Sequence, residues 1–376
     1  MPPTPLASHA GLREAPGAPL SHERVAETVR GFAALLNARG LPPSIGLAWD
    51  ARPRSRELAD VASAAALAAG LDVWELGVVS TPGAKLAARE RDLGGGLVVT
   101  GSHLGPELTG LKLSIAPLFA PVDVRNLPPP EAANGTGRRH VVSAAGEEHA
   151  RAVAAAVDTT AIRAARPAVQ ISGGAEPETA LLAAELGCRP GGTALELDAD
   201  GDRLSAGNPE WTLALATVAR TPRLVVRGAD TSRMVEQLAP KVTSVPPGEL
   251  HLVDALAADG TRPALAGEGN GGLVLPEVML ARDGLAAAAL LIELVARSGE
   301  PLEEHVGRLP RLARRRSEVE LSPDANSRLP IEVERPGGLW ALVRRSATEP
   351  VVRVTVEGPD EDAVRALHEE LRSELL

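Results

Sequence analysis

The chain has 376 residues, 44% of them hydrophobic and 23% charged, the balance of a soluble globular protein with room for about two to four domains. Its net charge of −10, its lack of any basic run longer than Arg314-Arg315-Arg316 and its 2% aromatic content argue against a nucleic-acid or acidic-membrane partner. The single cysteine, Cys188, excludes an intrachain disulfide and fits a reducing compartment.

The opening twenty residues carry neither a basic stretch nor an apolar run, so a secretion signal is not expected. Val25 to Leu36 reads as an amphipathic helix, Ile45 to Ala48 as a short strand, Arg56 to Ala69 as an alanine-rich helix and Val73 to Val79 as a strand. Leu118 to Gly137 is rich in proline, alanine and asparagine and reads as a connector. Helices are expected over Glu147 to Val157 and Pro177 to Leu186, with Ala168 to Ile171 extended between them. Gly284 to Arg297 reads as a further helix. Its apolar stretch, Leu285 to Ala296, is interrupted by Glu293 and falls short of the roughly 20 residues a membrane span needs, so a cytoplasmic protein is expected. After Gly299-Pro301 the character changes to strands at Ser317 to Leu321, Leu339 to Arg344 and Val351 to Glu357. A helix then starts at Asp360, with Val364, Leu367, Leu371 and Leu375 at helical spacing. Alternating helices and strands followed by a small α+β unit make this an α/β protein.

One pattern occurs three times. Leu97-Val98-Val99 runs into TGSH, Ala194-Leu195-Glu196-Leu197 into DADGDR, and Ala264-Leu265-Ala266 into GEGNGG. Ligands of open α/β sheets bind beyond the carboxyl ends of strands, so three such loops facing one cleft would form a composite site.

The loops differ in chemistry. Asp198, Asp200 and Asp202 offer three carboxylates at alternating positions, a donor set suited to Mg²⁺; a solvated acidic turn is the other reading. Ser102 is either a helix-capping turn residue or a nucleophile, which would need electrostatic help of the kind Lys112 can give. Glu268 and Asn270 present a carboxylate and an amide to a polyol, or simply form a tight turn. Arg344, Ser346 and Thr348, with Arg353 following, set guanidinium and hydroxyl groups between two strands as a phosphate cradle or a charged hairpin tip.

In this order the motifs TGSHLGPELTGLK, DADGDR, GEGNGG and RRSATEP resemble the phosphoserine, metal, sugar and phosphate loops of the α-D-phosphohexomutase family. WDARPRS, STPGAKLAAR and VRGADTSRMVEQLA resemble further segments of that family, so the likeness covers nearly the whole chain. It implies three related α/β domains with mixed sheets plus a small C-terminal α+β domain around a central cleft. Their expected limits are 1–138, 139–208, 209–304 and 305–376.

The resemblance also implies roles. Ser102 carries a phosphoryl group and joins Asp198, Asp200 and Asp202 around Mg²⁺, with Arg203 adding charge. His103, Lys112 and Arg52 serve proton transfer and charge stabilisation. Glu268 and Asn270 bind sugar hydroxyls, and Arg344, Ser346, Thr348 and Arg353 the non-reacting phosphate. Arg13 is retained from an N-terminal motif of which SHAGLRE keeps Gly11 and Arg13. The implied reaction interconverts hexose 1-phosphate and hexose 6-phosphate, with hexose 1,6-bisphosphate as activator, in a monomer or homodimer. A non-catalytic sugar-phosphate-binding paralogue is the alternative, suggested by Leu104-Gly105 where the family has Asn-Pro and by Ala347 in the phosphate loop.

Overall fold

In the computed structural model the described residues are 6–8, 11–15, 17–132, 135–320, 329, 331–345 and 351–375. Their strands form four sheets. In the first, Ser44–Trp49 lies parallel to both Asp72–Val78 and Gly95–Val99, and Gly110–Ile115 runs antiparallel to Gly95–Val99. From Ile45 to Trp49 and from Gly95 to Val99 the two middle strands are apolar because both of their faces are covered. Ile45, Leu47, Leu97 and Val99 pack with the helices His22–Ala38 and Pro53–Ala68, while the alternate residues Ala48 and Val98 pack with Ala84 and Ala87 of the helix Thr81–Arg89.

The second and third sheets repeat this plan at smaller size. Ala168–Ser172 and Thr193–Leu197 are parallel, with Leu204–Ser205 antiparallel to the latter. Leu224–Gly228 and Ala264–Gly267 are parallel, with Leu273–Val274 antiparallel to the latter. All three expected loops therefore occupy one topological position. Each joins a parallel strand to the antiparallel strand beside it.

The helix Gly284–Ser298 is buried at every position from Gly284 to Leu294. It packs against the helices Trp211–Arg220, Thr159–Ala165 and Ala145–Ala155, which explains an apolar run with no polar face. No helix among the described residues is long and apolar enough to cross a membrane.

The fourth sheet is antiparallel, in the order Ala313–Glu320, Val351–Gly358, Leu339–Arg345, Ile331–Arg335. The helix Glu361–Leu375 covers it through Val364, Leu367 and Leu371. The periodic leucines thus sit where their spacing places them.

Several features lie outside the sequence expectations, the helices Thr81–Arg89 and Trp211–Arg220 among them. Ile331–Arg335 is a strand whose residues are half-buried or exposed, so it carries little apolar pattern. The connector holds a short strand, Ala120–Pro121, and a turn of helix, Val124–Asn126. The first sheet gains Arg139–Val141, paired parallel to Asp72–Val78, just past residue 138. The main-chain bond from Val73 N to Arg138 O starts that pairing.

Candidate active site

The loop after Gly95–Val99 is fixed from beneath by Asp50. Its carboxylate accepts from Thr100 Oγ1 at 2.8 Å, Gly101 N at 3.2 Å, Ser55 Oγ at 2.6 Å and an Arg52 guanidinium nitrogen at 2.9 Å. Arg52 in turn donates to Ser102 O at 2.9 Å and Leu104 O at 2.6 Å. These bonds reach main-chain carbonyls, so the loop holds its shape without the asparagine and proline that the resemblance would place there. Arg13 donates to Gly101 O at 3.2 Å.

Ser102 is buried and sits at φ +52°, a left-handed conformation that costs a non-glycine residue of order 1 kcal/mol or more. Its amide is tied to Thr100 Oγ1 at 2.8 Å. Its hydroxyl donates to Asp198 Oδ2 at 3.1 Å and accepts from Lys112 Nζ at 3.4 Å. Two of the three repeated loops therefore meet at one hydroxyl.

The DADGDR loop is held from several directions. Thr81 N donates to Asp200 O at 2.8 Å and Thr81 Oγ1 to Asp200 Oδ2 at 2.5 Å. Gly284 N donates to Gly201 O at 2.8 Å. Gly201 is at φ +69°, and a Cβ there would meet Ser80 Cβ at 2.8 Å. Gly201→Ala should therefore destabilise the fold by about 1–3 kcal/mol, measurable by urea unfolding; an unchanged midpoint would show that the loop has room to shift. The loop is also bonded to GEGNGG, through Leu204 N to Gly271 O at 3.0 Å and an antiparallel bridge between Arg203 and Gly272.

Lys112 Nζ lies 2.5 Å from both Asp200 Oδ2 and Asp202 Oδ2. Burial alone would raise these two carboxyls, but the ammonium, joined by Arg282 at Asp202, holds both below the ordinary carboxylate range. Asp198 is pushed up to about 7 by burial and by the two neighbouring aspartates. His103 is pushed down to about 3 by burial and by the charges of Arg203, Arg13 and Lys112, so its imidazole is neutral.

Asp200 Oδ1 and Asp202 Oδ1 are buried and have no hydrogen-bond partner among the described residues. Buried carboxylate oxygens left unbonded, in an all-oxygen set with Asp198 and Ser102, suit a hard divalent cation. The cation between Asp200 and Asp202 in the structure is Lys112. No group of three or more histidine, cysteine, aspartate or glutamate side chains is closed around a metal position among the described residues.

Several residues that sequence reasoning did not single out complete the floor. Arg282 bonds to Asp202 Oδ2 and to Glu268 Oε2, each at 3.0 Å, and lies 3.7 Å from Glu249 Oε2. Glu249 also holds the buried Lys85 at 2.5 Å. Glu268 accepts from Gly248 N at 2.9 Å, and Asn270 Oδ1 caps Gly272 N at 3.0 Å. The only sequence signal for Arg282 is its place beside the helix-capping Asp283-Gly284.

Lys85, Glu249, Glu268, Asn270 and Arg282 line one cleft of about 1300 Å³, together with Arg13, His103, Lys112, Arg203, Arg316, Arg344 and Arg353. Arg344 is ion-paired with Asp230, whose carbonyl also accepts from Arg314 and Arg316. Arg353 donates to Glu318 Oε1 at 3.0 Å. Ser346, Ala347 and Thr348 lie outside the described residues.

Comparison with known proteins places the chain. Residues 6–120, 211–312 and 319–374 match, respectively, the phosphoglucomutase/phosphomannomutase alpha/beta/alpha domain I, the alpha/beta/alpha domain III and the C-terminal domain of the same enzymes. The chain belongs to the α-D-phosphohexomutase family. Two relatives in this family cover 89% of the chain, with 90% of their own length. One is a probable phosphoglucosamine mutase of Methanocella arvoryzae, 27% identical, and the other a phosphoglucomutase/phosphomannomutase of Thermococcus kodakarensis, 26% identical. The phosphohexomutase fold is shared with a phosphoglucomutase/phosphomannomutase family protein from Burkholderia thailandensis. That likeness has a TM-score of 0.80 at 21% identity, over 98% of this chain and 96% of that one. A putative phosphomannomutase from Thermus thermophilus gives a TM-score of 0.77 at 22% identity, over 99% of each chain.

Proposed function

We propose that the chain is a phosphohexomutase that moves a phosphoryl group between O1 and O6 of an aldohexose phosphate, with Ser102 as the carrier. The observation that carries this reading is the Ser102 hydroxyl, buried and held in a left-handed turn where Asp198 and Lys112 converge on it. A strained backbone at one buried hydroxyl, beside a cleft lined by arginines, supports a functional role for that hydroxyl, and phosphoryl transfer relies on such positioning and charge.

Phosphoryl transfer depends on positioning and charge. Arg52 holds the carrier loop by its carbonyls, and Lys112 brings positive charge to the serine oxygen. The neutral His103 imidazole offers a hydrogen-bonding group to the reacting hydroxyl. Arg203 and Arg13 add charge on the cleft wall. Asp198, Asp200 and Asp202, with an oxygen on Ser102, would hold Mg²⁺, which supplies charge against the phosphoryl oxygens. Glu268 and Asn270 orient sugar hydroxyls, while Arg344 and Arg353, with Ser346 and Thr348 of the same loop, bind the phosphate that does not react. The phosphoryl group passes from Ser102 to the free hydroxyl, the resulting bisphosphate reorients, and its other phosphoryl group returns to the serine. Hexose 1,6-bisphosphate supplied from outside phosphorylates an unloaded Ser102 and so activates the chain. On this reading the chain is a cytoplasmic enzyme that works as a monomer or homodimer.

A coupled assay with glucose, mannose and glucosamine 1-phosphates, each with bisphosphate present, tests the proposal. Turnover on at least one supports it; a folded chain inert on all three overturns it, and intact mass without phosphate uptake would favour a binding paralogue. Arg344→Ala should raise KM by about 10- to 100-fold and change kcat less, because a charge-assisted contact to the spectator phosphate is worth about 1.5–3 kcal/mol. An unchanged KM would move the phosphate elsewhere.

A further inference from the structure

The most deeply buried histidine lies outside the catalytic set. His149, on the helix Ala145–Ala155, is completely buried. Its Nε2 is 2.9 Å from Asp283 Oδ2, its Nδ1 is 2.9 Å from Glu178 Oε1, and Ser80 Oγ lies 3.3 Å from the same Nδ1. Glu178 also accepts from Ser80 N at 2.6 Å and from Ser80 Oγ at 3.0 Å. The chain positions meeting here, 80, 149, 178 and 283, come from all three α/β units.

Two of these partners are helix caps. Ser80 caps Thr81–Arg89 through Gly83 N, and Asp283 caps Gly284–Ser298 through Ala286 N. The first residue of each helix donates its amide to the DADGDR loop, Thr81 to Asp200 O and Gly284 to Gly201 O, both at 2.8 Å. We infer that His149 is a positioning residue for that loop: it ties together the caps of two helices whose first amides hold adjacent loop carbonyls. The role rests on reading the loop as a cation site, because the purpose of fixing two neighbouring carbonyls is to fix the carboxylates of Asp200 and Asp202.

Electrostatics fits this geometry. Burial alone would push the imidazole down, but Asp283 and Glu178 outweigh it and carry His149 up to about 10. A protonated ring donates from both nitrogens, which the two carboxylates require. The third group bonded at the ring, the Ser80 hydroxyl, is uncharged. The folded chain keeps this proton up to about pH 10, whereas an unfolded imidazole releases it near 6.5. The stabilisation is therefore complete below about pH 6.5 and lost as pH rises through about 10.

The test compares full-length wild type with His149→Gln, and with Asp283→Asn, which keeps a capping side chain but removes one carboxylate charge. Hydrogen exchange without added metal should show residues 198–203 opening at least about tenfold faster in each variant, with Leu224–Gly228 unchanged. Calorimetric titration with Mg²⁺ alone should give binding about 10- to 100-fold weaker. The fall in Tm between pH 7 and 10 should flatten in His149→Gln. If folded His149→Gln exchanges its loop amides at the wild-type rate, the inference fails. If that variant does not fold, Asp283→Asn decides by the same exchange measurement. A wild type that takes up no Mg²⁺ overturns the cation reading instead, while the exchange result still judges the positioning role.

Discussion

Ser102→Ala is expected to leave a folded chain that takes up no phosphate and whose kcat falls by about 10⁴-fold or more, the scale seen when a nucleophile that works in a concerted set is removed. Intact mass after incubation with hexose 1,6-bisphosphate reads the first effect and the coupled assay the second. A phosphorylated Ser102→Ala protein would place the carrier on another residue. A companion variant separates chemistry from conformation. Ser102→Gly removes the hydroxyl and also relieves the φ of +52°, so it should be equally inactive yet more stable than wild type, by about 1 kcal/mol in urea unfolding. Were Ser102→Gly no more stable, the turn would hold no strain, and the argument from a strained carrier would lose its support.

Removing Asp202 should have the largest effect on stability. Its carboxylate is buried between Lys112 at 2.5 Å and Arg282 at 3.0 Å. Asp202→Ala leaves both cations without this counter-charge in a buried site, at an expected cost of about 3–5 kcal/mol. Arg282 also touches Glu268 and Glu249, and Glu249 touches Lys85, so the disturbance runs from the cation loop to the sugar loop. Asp202→Asn, which keeps the shape and one acceptor oxygen, should lose about half as much stability but as much Mg²⁺ affinity. Urea unfolding and metal titration of the two variants check this, and an Asp202→Ala chain as stable as wild type would refute it.

Much of the fold could be read from the chain because its signals are local. The helices around residues 25–36, 56–69 and 284–297 and the leucine spacing of the last helix follow from periodicity, and the three functional loops from short apolar strands ending in polar turns. Ser102, Lys112 and the aspartates were legible for the same reason, since loop chemistry is written in consecutive residues. Arg282, Lys85 and Glu249 were not. Lys85 meets Glu249 across 164 positions, and no spacing rule connects them. Arg344 likewise meets Asp230 across 114 positions, an ion pair that the basic run around it does not announce. His149 lies in a segment read only as a helix; its partners Ser80, Glu178 and Asp283 lie on or cap three other helices and meet it only after the chain has packed.

The shared placement of the three loops has a consequence for how the chain can change. On the proposed reading, one structural element, repeated, is divided among three tasks: carrying the group, balancing its charge and gripping the sugar. The first alone offers a serine without its aspartate partner, and the second a knot of negative charge with nothing to neutralise. No half of this protein would then be half an enzyme, since losing any one loop would take away the use of the other two.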